Sequence, residues 1–273
     1  QPLGGRPGGG RDPAPPGDER DWGLGRSAMQ TKLSPNGITA VLFDLDGTLR
    51  HSRPPFNQTL LDYAVQLGAP DSPERRRNVL RWVHAYWAQS PEMLQDQATY
   101  GGLSDEFWSY YTCLTLLQFG CPEAQARNLG PQVNQRMQDE YQPADHIPPD
   151  AWETLESLRA AGFALGVVSN RRNSYAEQLA ALGLTPFFKF ALAAGEVNSW
   201  KPEPGIFQHA LDLLGAQAAQ TVYVGDNYFA DILGASNAGL RPVLLDPDGL
   251  FPEAACPVIS SLGDLLGLLG AQP

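Results

Sequence analysis

Short apolar runs alternate with helical stretches along most of this chain, and most runs stop at a polar residue able to carry chemistry. Residues 38–43 run apolar into Asp44-Leu45-Asp46-Gly47-Thr48. Residues 164–168 run into Ser169-Asn170, and a further run lies near 188–193. Residues 221–224 run into Gly225-Asp226-Asn227, and residues 242–245 close the series. Helical stretches at 150–161, 174–182, 203–214 and 228–238 separate them. Apolar runs this short, bounded by turn residues, read as strands buried on both faces. Strands alternating with helices of this length build βαβ units, and so a parallel sheet with helices on both faces.

The block 55–146 breaks the alternation. It reads as helices near 56–67, 73–89, 104–119 and 123–141 with no strand, an all-helical module inserted after the first strand. Ligands of open α/β sheets bind at the carboxyl ends of strands. An insert rooted there is expected to act as a lid. Within it, Tyr100-Gly101-Gly102 is a candidate substrate-specificity loop, because glycine allows close backbone approach to a ligand. Residues 1–28 stand apart, with eight glycines, five prolines and charges that cancel. They cannot bury enough surface to offset their ordering entropy. A disordered extension over 1–37 is expected, with Met29 read as the initiator. The remaining division is 38–54 with 147–273 as the α/β core and 55–146 as the helical cap.

Charge and cysteine usage narrow the function classes. The net charge is −11, from 19 basic and 30 acidic residues. Such a chain is a poor match for nucleic acid or an anionic membrane, both of which need clustered Lys and Arg. No apolar run approaches the length needed to span a bilayer. Cys113, Cys121 and Cys256 are too scattered for a disulfide framework or a zinc site, and read as reduced thiols of a cytoplasmic protein.

The candidate motifs all fall at predicted strand ends: Asp44 and Asp46, Ser169, Lys201 in Trp200-Lys201-Pro202, and Asp226 with Asp231. One sheet would bring them together. Like charges ~4 Å apart repel by about 4 kcal/mol at an effective dielectric of 20, so clustered carboxylates need positive charge. Lys201 supplies one, and a divalent cation is the natural source of the rest. Oxygen-only ligands favour Mg²⁺ over zinc or copper. Such a site suits a phosphate ester. A carboxylate can attack phosphorus, and a second acid can protonate the leaving oxygen and then activate water.

These motifs, in this order and spacing, resemble the haloacid dehalogenase (HAD) superfamily, in its capped phosphatase branch. Asp44-Leu45-Asp46-Gly47-Thr48 matches the first family motif, Ser169 the second and Lys201 the third. Gly225-Asp226 with Asp231 matches the fourth. The resemblance implies an α/β fold, a Rossmann-like parallel sheet core carrying an inserted all-helical cap domain. It implies Asp44 as nucleophile and Asp46 as general acid/base, with Ser169, Asn170 and Lys201 holding the phosphoryl group. Asp44, the backbone carbonyl of Asp46 and Asp226 would ligate Mg²⁺, with Asp231 in support. The implied activity is hydrolysis of a small phosphorylated metabolite by a monomer or homodimer. An intramolecular phosphotransferase of the β-phosphoglucomutase type shares this layout, and a non-catalytic HAD-like binding protein is a third alternative. Arg171 and Arg172 read first as surface arginines at a helix start, with one of them reaching the active site as the alternative. His51 and Arg53 read equally as substrate contacts or as a solvated turn.

Overall fold

The computed structural model describes residues 37–271, so the expectations for residues 1–36 lie outside the described residues. The chain opens with β1 (Ala40–Phe43) and β2 (His51–Arg53). Five helices follow: α1 (Phe56–Gln66), α2 (Pro73–Trp87), α3 (Pro91–Thr99), α4 (Asp105–Gln118) and α5 (Glu123–Glu140). Then come β3 (Ala144–His146), α6 (Pro149–Ala160), β4 (Ala164–Ser169) and α7 (Ala176–Ala181). These lead to β5 (Ala191–Ala193), α8 (Ala194–Val197), α9 (Pro204–Leu214) and β6 (Thr221–Gly225). The chain ends with α10 (Gly234–Asn237), β7 (Arg241–Leu245), β8 (Val258–Ile259) and α11 (Asp264–Leu269).

Six strands form one sheet in the order β5-β4-β1-β6-β7-β8, every neighbouring pair parallel. This is the α/β, Rossmann-like architecture expected from the sequence. All four residues of β1 are buried, which is why the strand reads as an unbroken apolar run. Its side chains still alternate between faces. Val41 and Phe43 pack in one core with Leu155 and Leu158 of α6 and Leu265 and Leu269 of α11. Ala40 and Leu42 pack in the other with Ile206, Phe207 and Leu211 of α9. In β4, a side chain at Gly166 would come within 2.7 Å of the Phe190 ring and 2.9 Å of Leu42. Only glycine fits there.

The chain divides into two compact units. One holds residues 37–53, 84–90 and 144–271, and the other holds 54–83 and 91–143. The second unit is helical, built from α1, α3, α4, α5 and most of α2. Ser104 caps α4 by accepting from the Phe107 amide at 3.2 Å, the role expected of a serine at a helix start. Gly130 lets α5 approach α4, since a Cβ there would lie 2.2 Å from Cys113 Sγ.

Three local features differ from the sequence reading. The block 55–146 was expected to hold no strand, yet β3 pairs antiparallel with β2, placing His146 opposite His51 and Asp145 opposite Ser52. Three-residue strands of polar, partly exposed residues carry no apolar alternation to read. The helix expected at 73–89 ends at Trp87, Gln89 adopts φ 57°, and α3 starts afresh at Pro91. Proline suits the first helical position, where its missing amide hydrogen would have no partner anyway. The helix expected at 228–238 begins as a wider π-helical turn, Tyr228–Leu233, before α10. Among the described residues no helix is long and apolar enough to cross a membrane.

Candidate active site

The parallel sheet places the motif residues at its carboxyl edge. Asp44 follows β1, the strand between β4 and β6, and its amide donates to Val224 O of β6 at 2.8 Å. Ser169 is the last residue of β4 and is buried. Asp226 follows β6, and Asp231 lies in the π-helical turn beyond it. Lys201 comes from the segment between α8 and α9. All of these belong to the sheet unit.

Lys201 joins them. Its Nζ donates to Asp44 Oδ1 and to Asp231 Oδ1, each at 2.6 Å, and lies 3.0 Å from the Tyr223 hydroxyl. The side chain is almost fully buried. Its backbone is held too. Asn170 Nδ2 donates to Lys201 O at 2.8 Å, and the Lys201 amide donates back to Asn170 Oδ1 at 2.7 Å. The Asn170 side chain therefore orients the lysine. Asp231 is pinned from the other side, its Oδ2 accepting from the Asn227 amide at 3.0 Å. Asn227 in turn caps the π-helical turn through its Oδ1, which accepts from the Phe229 and Ala230 amides at 3.0 and 2.9 Å.

Asp226 packs against the turn of the first motif. Gly47 has φ +95°, and a Cβ there would fall 2.3 Å from Asp226 Oδ2. Glycine is needed at this position for its backbone angle and for space. The Thr48 hydroxyl reaches Asp226 Oδ1 at 3.4 Å.

One carboxylate oxygen from each of Asp44, Asp226 and Asp231 lies within 4.8 Å of the other two. A single ammonium thus faces three carboxylates. Burial, with the charges of Asp231 and Asp46 added, pushes the Asp44 carboxyl up to about 7, against the pull of Lys201. Burial, followed by the charges of Asp44 and Asp231, holds Asp226 well above the usual carboxylate range. Burial alone would depress the Lys201 ammonium, but Asp231 and Asp44 outweigh it and raise it. Among the described residues Lys201 is the only cation hydrogen-bonded to these carboxylates, and the donors they offer are all oxygen. That is the chemistry of a hard divalent cation such as Mg²⁺.

Asp46 stands in different company. Arg171 grips it with two nitrogens, Nε to Oδ2 at 2.7 Å and Nη2 to Oδ1 at 2.8 Å. Arg50 Nη1 adds a contact to Oδ1 at 3.1 Å. Arg171 is therefore not the free surface arginine expected from the sequence, because the turn after β4 directs it back to the first-motif loop. His51 and Arg53 lie on β2, in register with β3. Tyr100, Gly101 and Gly102 lie in the segment between α3 and α4. They belong to the helical unit, where they close α3 through Tyr100 N to Asp96 O and Gly102 N to Gln97 O, at 3.0 and 2.7 Å.

Tyr223 was missed as a site residue, and Arg171 was read first as a surface arginine. A tyrosine inside Thr-Val-Tyr-Val-Gly was a readable signal, since a buried phenol needs a partner for its hydroxyl.

The family profile described as haloacid dehalogenase-like hydrolase matches residues 38–239. The chain belongs to the haloacid dehalogenase-like hydrolases. Its relatives put it in the phosphatase branch of that family. It is 34% identical over 217 residues to ribulose-1,5-bisphosphate 5-phosphatase of Halopiger xanaduensis, covering 77% of this chain and 85% of that one. It is 30% identical over 224 residues to human haloacid dehalogenase-like hydrolase domain-containing protein 3, covering 81% and 86%. The crystal structure of a HAD phosphatase from Thermococcus onnurineus superposes with a TM-score of 0.52 at 24% identity, covering 86% of this chain and 99% of that one, and shares its fold.

Proposed function

We propose that this hydrolase is a Mg²⁺-dependent phosphomonoesterase of small soluble metabolites, working in the cytoplasm through an aspartyl-phosphate on Asp44. The observation that carries the proposal is the Lys201 ammonium held 2.6 Å from both Asp44 and Asp231 at the carboxyl edge of the sheet. It sets one oxygen of a buried carboxylate and leaves the other to attack. The phosphatase names of relatives such as the Halopiger enzyme support the substrate class. Three free, buried cysteines support a reducing compartment.

Asp44 and Asp226, with the backbone carbonyl of Asp46, would hold Mg²⁺. Bound there, the ion would neutralise charge on the phosphoryl oxygens. Asp44 attacks phosphorus as the ester P–O bond breaks. Asp46 gives its proton to the leaving oxygen. Asp46 then takes a proton from water, the water attacks the phosphoryl group, and Asp44 is regenerated with release of phosphate. Ser169 and Lys201 bind the non-reacting oxygens, where donors fixed in advance act most strongly on developing charge.

Rapid-quench mass spectrometry tests the assignment. Asp46→Asn should accumulate phosphate on Asp44 from a substrate with a good leaving group, because hydrolysis of the intermediate lacks its base. Asp44→Asn should form no intermediate. Phosphate found on another residue would overturn the proposal.

A further inference from the structure

Asp46 belongs to a closed ring of five side chains. Arg171 grips both of its oxygens, and Arg171 Nη1 donates to Gln178 Oε1 at 2.5 Å. Gln178 Nε2 donates to Asp145 Oδ2 at 2.6 Å. Arg50 Nε donates to Asp145 Oδ1 at 2.7 Å, and Arg50 Nη1 returns to Asp46 Oδ1 at 3.1 Å. The ring draws on four places in the sheet unit: the loop after β1, the strand β3, the loop after β4 and helix α7. Two arginines meet two aspartates, so it is balanced in charge, and among the described residues no hydrogen bond joins it to the Lys201 cluster. An isolated surface pair would hold little. A two-pronged guanidinium grip, by contrast, fixes the plane of a carboxylate as well as its position.

The ring also distinguishes the two oxygens. Each carboxylate oxygen offers about two acceptor sites. Oδ1 of Asp46 receives Arg171 Nη2 and Arg50 Nη1, which fills both. Among the described residues Oδ2 receives only Arg171 Nε, so one lone pair stays open. We propose that Arg171, braced by Gln178 and seconded by Arg50, is a positioning residue that saturates Oδ1 of Asp46 and leaves Oδ2 as the atom that handles the proton. In the first half-reaction the proton on Oδ2 passes to the leaving oxygen as the P–O bond breaks. In the second, Oδ2 takes a proton from the water that attacks phosphorus.

This inference rests on the acid/base reading of Asp46, so the experiment separates the two. Pre-steady-state bursts of leaving group are measured with an alkyl and an aryl phosphate, together with decay of the aspartyl-phosphate. The proteins are wild type, Arg171→Ala, Asp46→Asn, the double variant and Gln178→Ala. A misplacement of about 1 Å can cost on the order of 10²-fold. Arg171→Ala is accordingly expected to slow the alkyl burst by about 10–100-fold and to slow the decay of the intermediate, while the aryl burst stays within about threefold. Gln178→Ala should give the same pattern more weakly, and it decides the matter if Arg171→Ala does not fold. The double variant should be no slower than Asp46→Asn alone. Equal loss on both substrates, a change confined to KM, or additive losses in the double variant would overturn the positioning role. Loss of leaving-group dependence in Arg171→Ala but not in Asp46→Asn would also refute it. If Asp46→Asn itself shows no leaving-group dependence and normal decay, it is the acid/base reading that fails.

Discussion

Replacing Gly47 by alanine should damage the proposed metal site more than the fold. The φ of +95° at Gly47 is strained for any residue with a side chain, at a cost of about 1–2 kcal/mol. At roughly 2–4 °C per kcal/mol for a chain of this size, Tm should fall by about 2–8 °C. The new Cβ would also meet Asp226 Oδ2, Cγ and Oδ1 at 2.3, 2.5 and 2.7 Å. Ordinary carbon contacts lie near ~3.5 Å, so the carboxylate must retreat by about 1 Å and lose its alignment with Asp44 and Asp231. Disturbing a residue that only orients a ligand typically costs about 10–100-fold in metal affinity, and that range is expected for half-saturation by Mg²⁺. Gly215 supplies the control. It has φ +66° and no atom within 4 Å of its would-be Cβ. Gly215→Ala should therefore cost similar backbone strain and leave Mg²⁺ dependence unchanged. Thermal melts in chelator and activity titrations with Mg²⁺ read the two effects separately. Matching Mg²⁺ curves for the two variants would refute the argument that Gly47 keeps space for Asp226.

Two further substitutions probe the charge cluster. Tyr223→Phe removes the hydroxyl 3.0 Å from Lys201 Nζ and 3.3 Å from Val168 O; it should cost about 1 kcal/mol of stability, read by denaturant titration, with Mg²⁺ affinity unchanged. Asp226→Asn takes one negative charge from a pocket where three carboxylates face one lysine. It should raise Tm in chelator by an amount that grows with pH, because burial and neighbouring charge hold the Asp44 and Asp226 carboxyls high and like-charge repulsion of up to about 4 kcal/mol is relieved only where they ionise; it should also abolish the stabilisation that Mg²⁺ gives the wild type. A lower Tm in chelator would show that the metal-free pocket is not under repulsion.

The sheet was legible because strands buried on both faces leave continuous apolar runs, and Ala40–Phe43 has no exposed residue to interrupt it. The β2–β3 ribbon was illegible for the opposite reason. His-Ser-Arg and Ala-Asp-His carry no pattern, and their pairing is fixed by tertiary contacts. The restart of a helix at Pro91 could have been read from the proline, whereas the positive φ of Gln89 could not. Within the candidate site, Lys201 and Asp231 were picked out by the order and spacing of the motifs, and Asp44 and Asp226 because each follows the apolar run of a strand. Arg171 does so as well, two residues after Ser169, yet an arginine at a loop start resembles solvated arginines elsewhere. What sets it apart is a partner 125 residues away in sequence, which no local pattern records.

The two aspartates of the first motif are only two residues apart, yet the fold gives them different bonded partners. Asp44 shares a buried pocket with Asp226, Asp231 and the single ammonium of Lys201, a cluster left short of positive charge. Asp46 lies in a ring where Arg50 and Arg171 match Asp46 and Asp145 one for one. The difference follows from the loop. Asp44 continues the line of β1 between two parallel strands, whereas the turn at Gly47, closed by Gly47 N to Arg50 O at 2.8 Å, brings Arg50 back beside Asp46. A nucleophile that must receive a phosphate dianion together with a cation benefits from a pocket that attracts the cation. A proton carrier benefits from the reverse, a carboxylate whose orientation is fixed before substrate arrives and whose neighbours need no further charge. Arginines bonded to Asp44 would satisfy the pocket without a metal. The turn from Asp46 to Arg50 gives that guanidinium to Asp46 and Asp145 instead, so the first motif sets the partners of two carboxylates as well as supplying them.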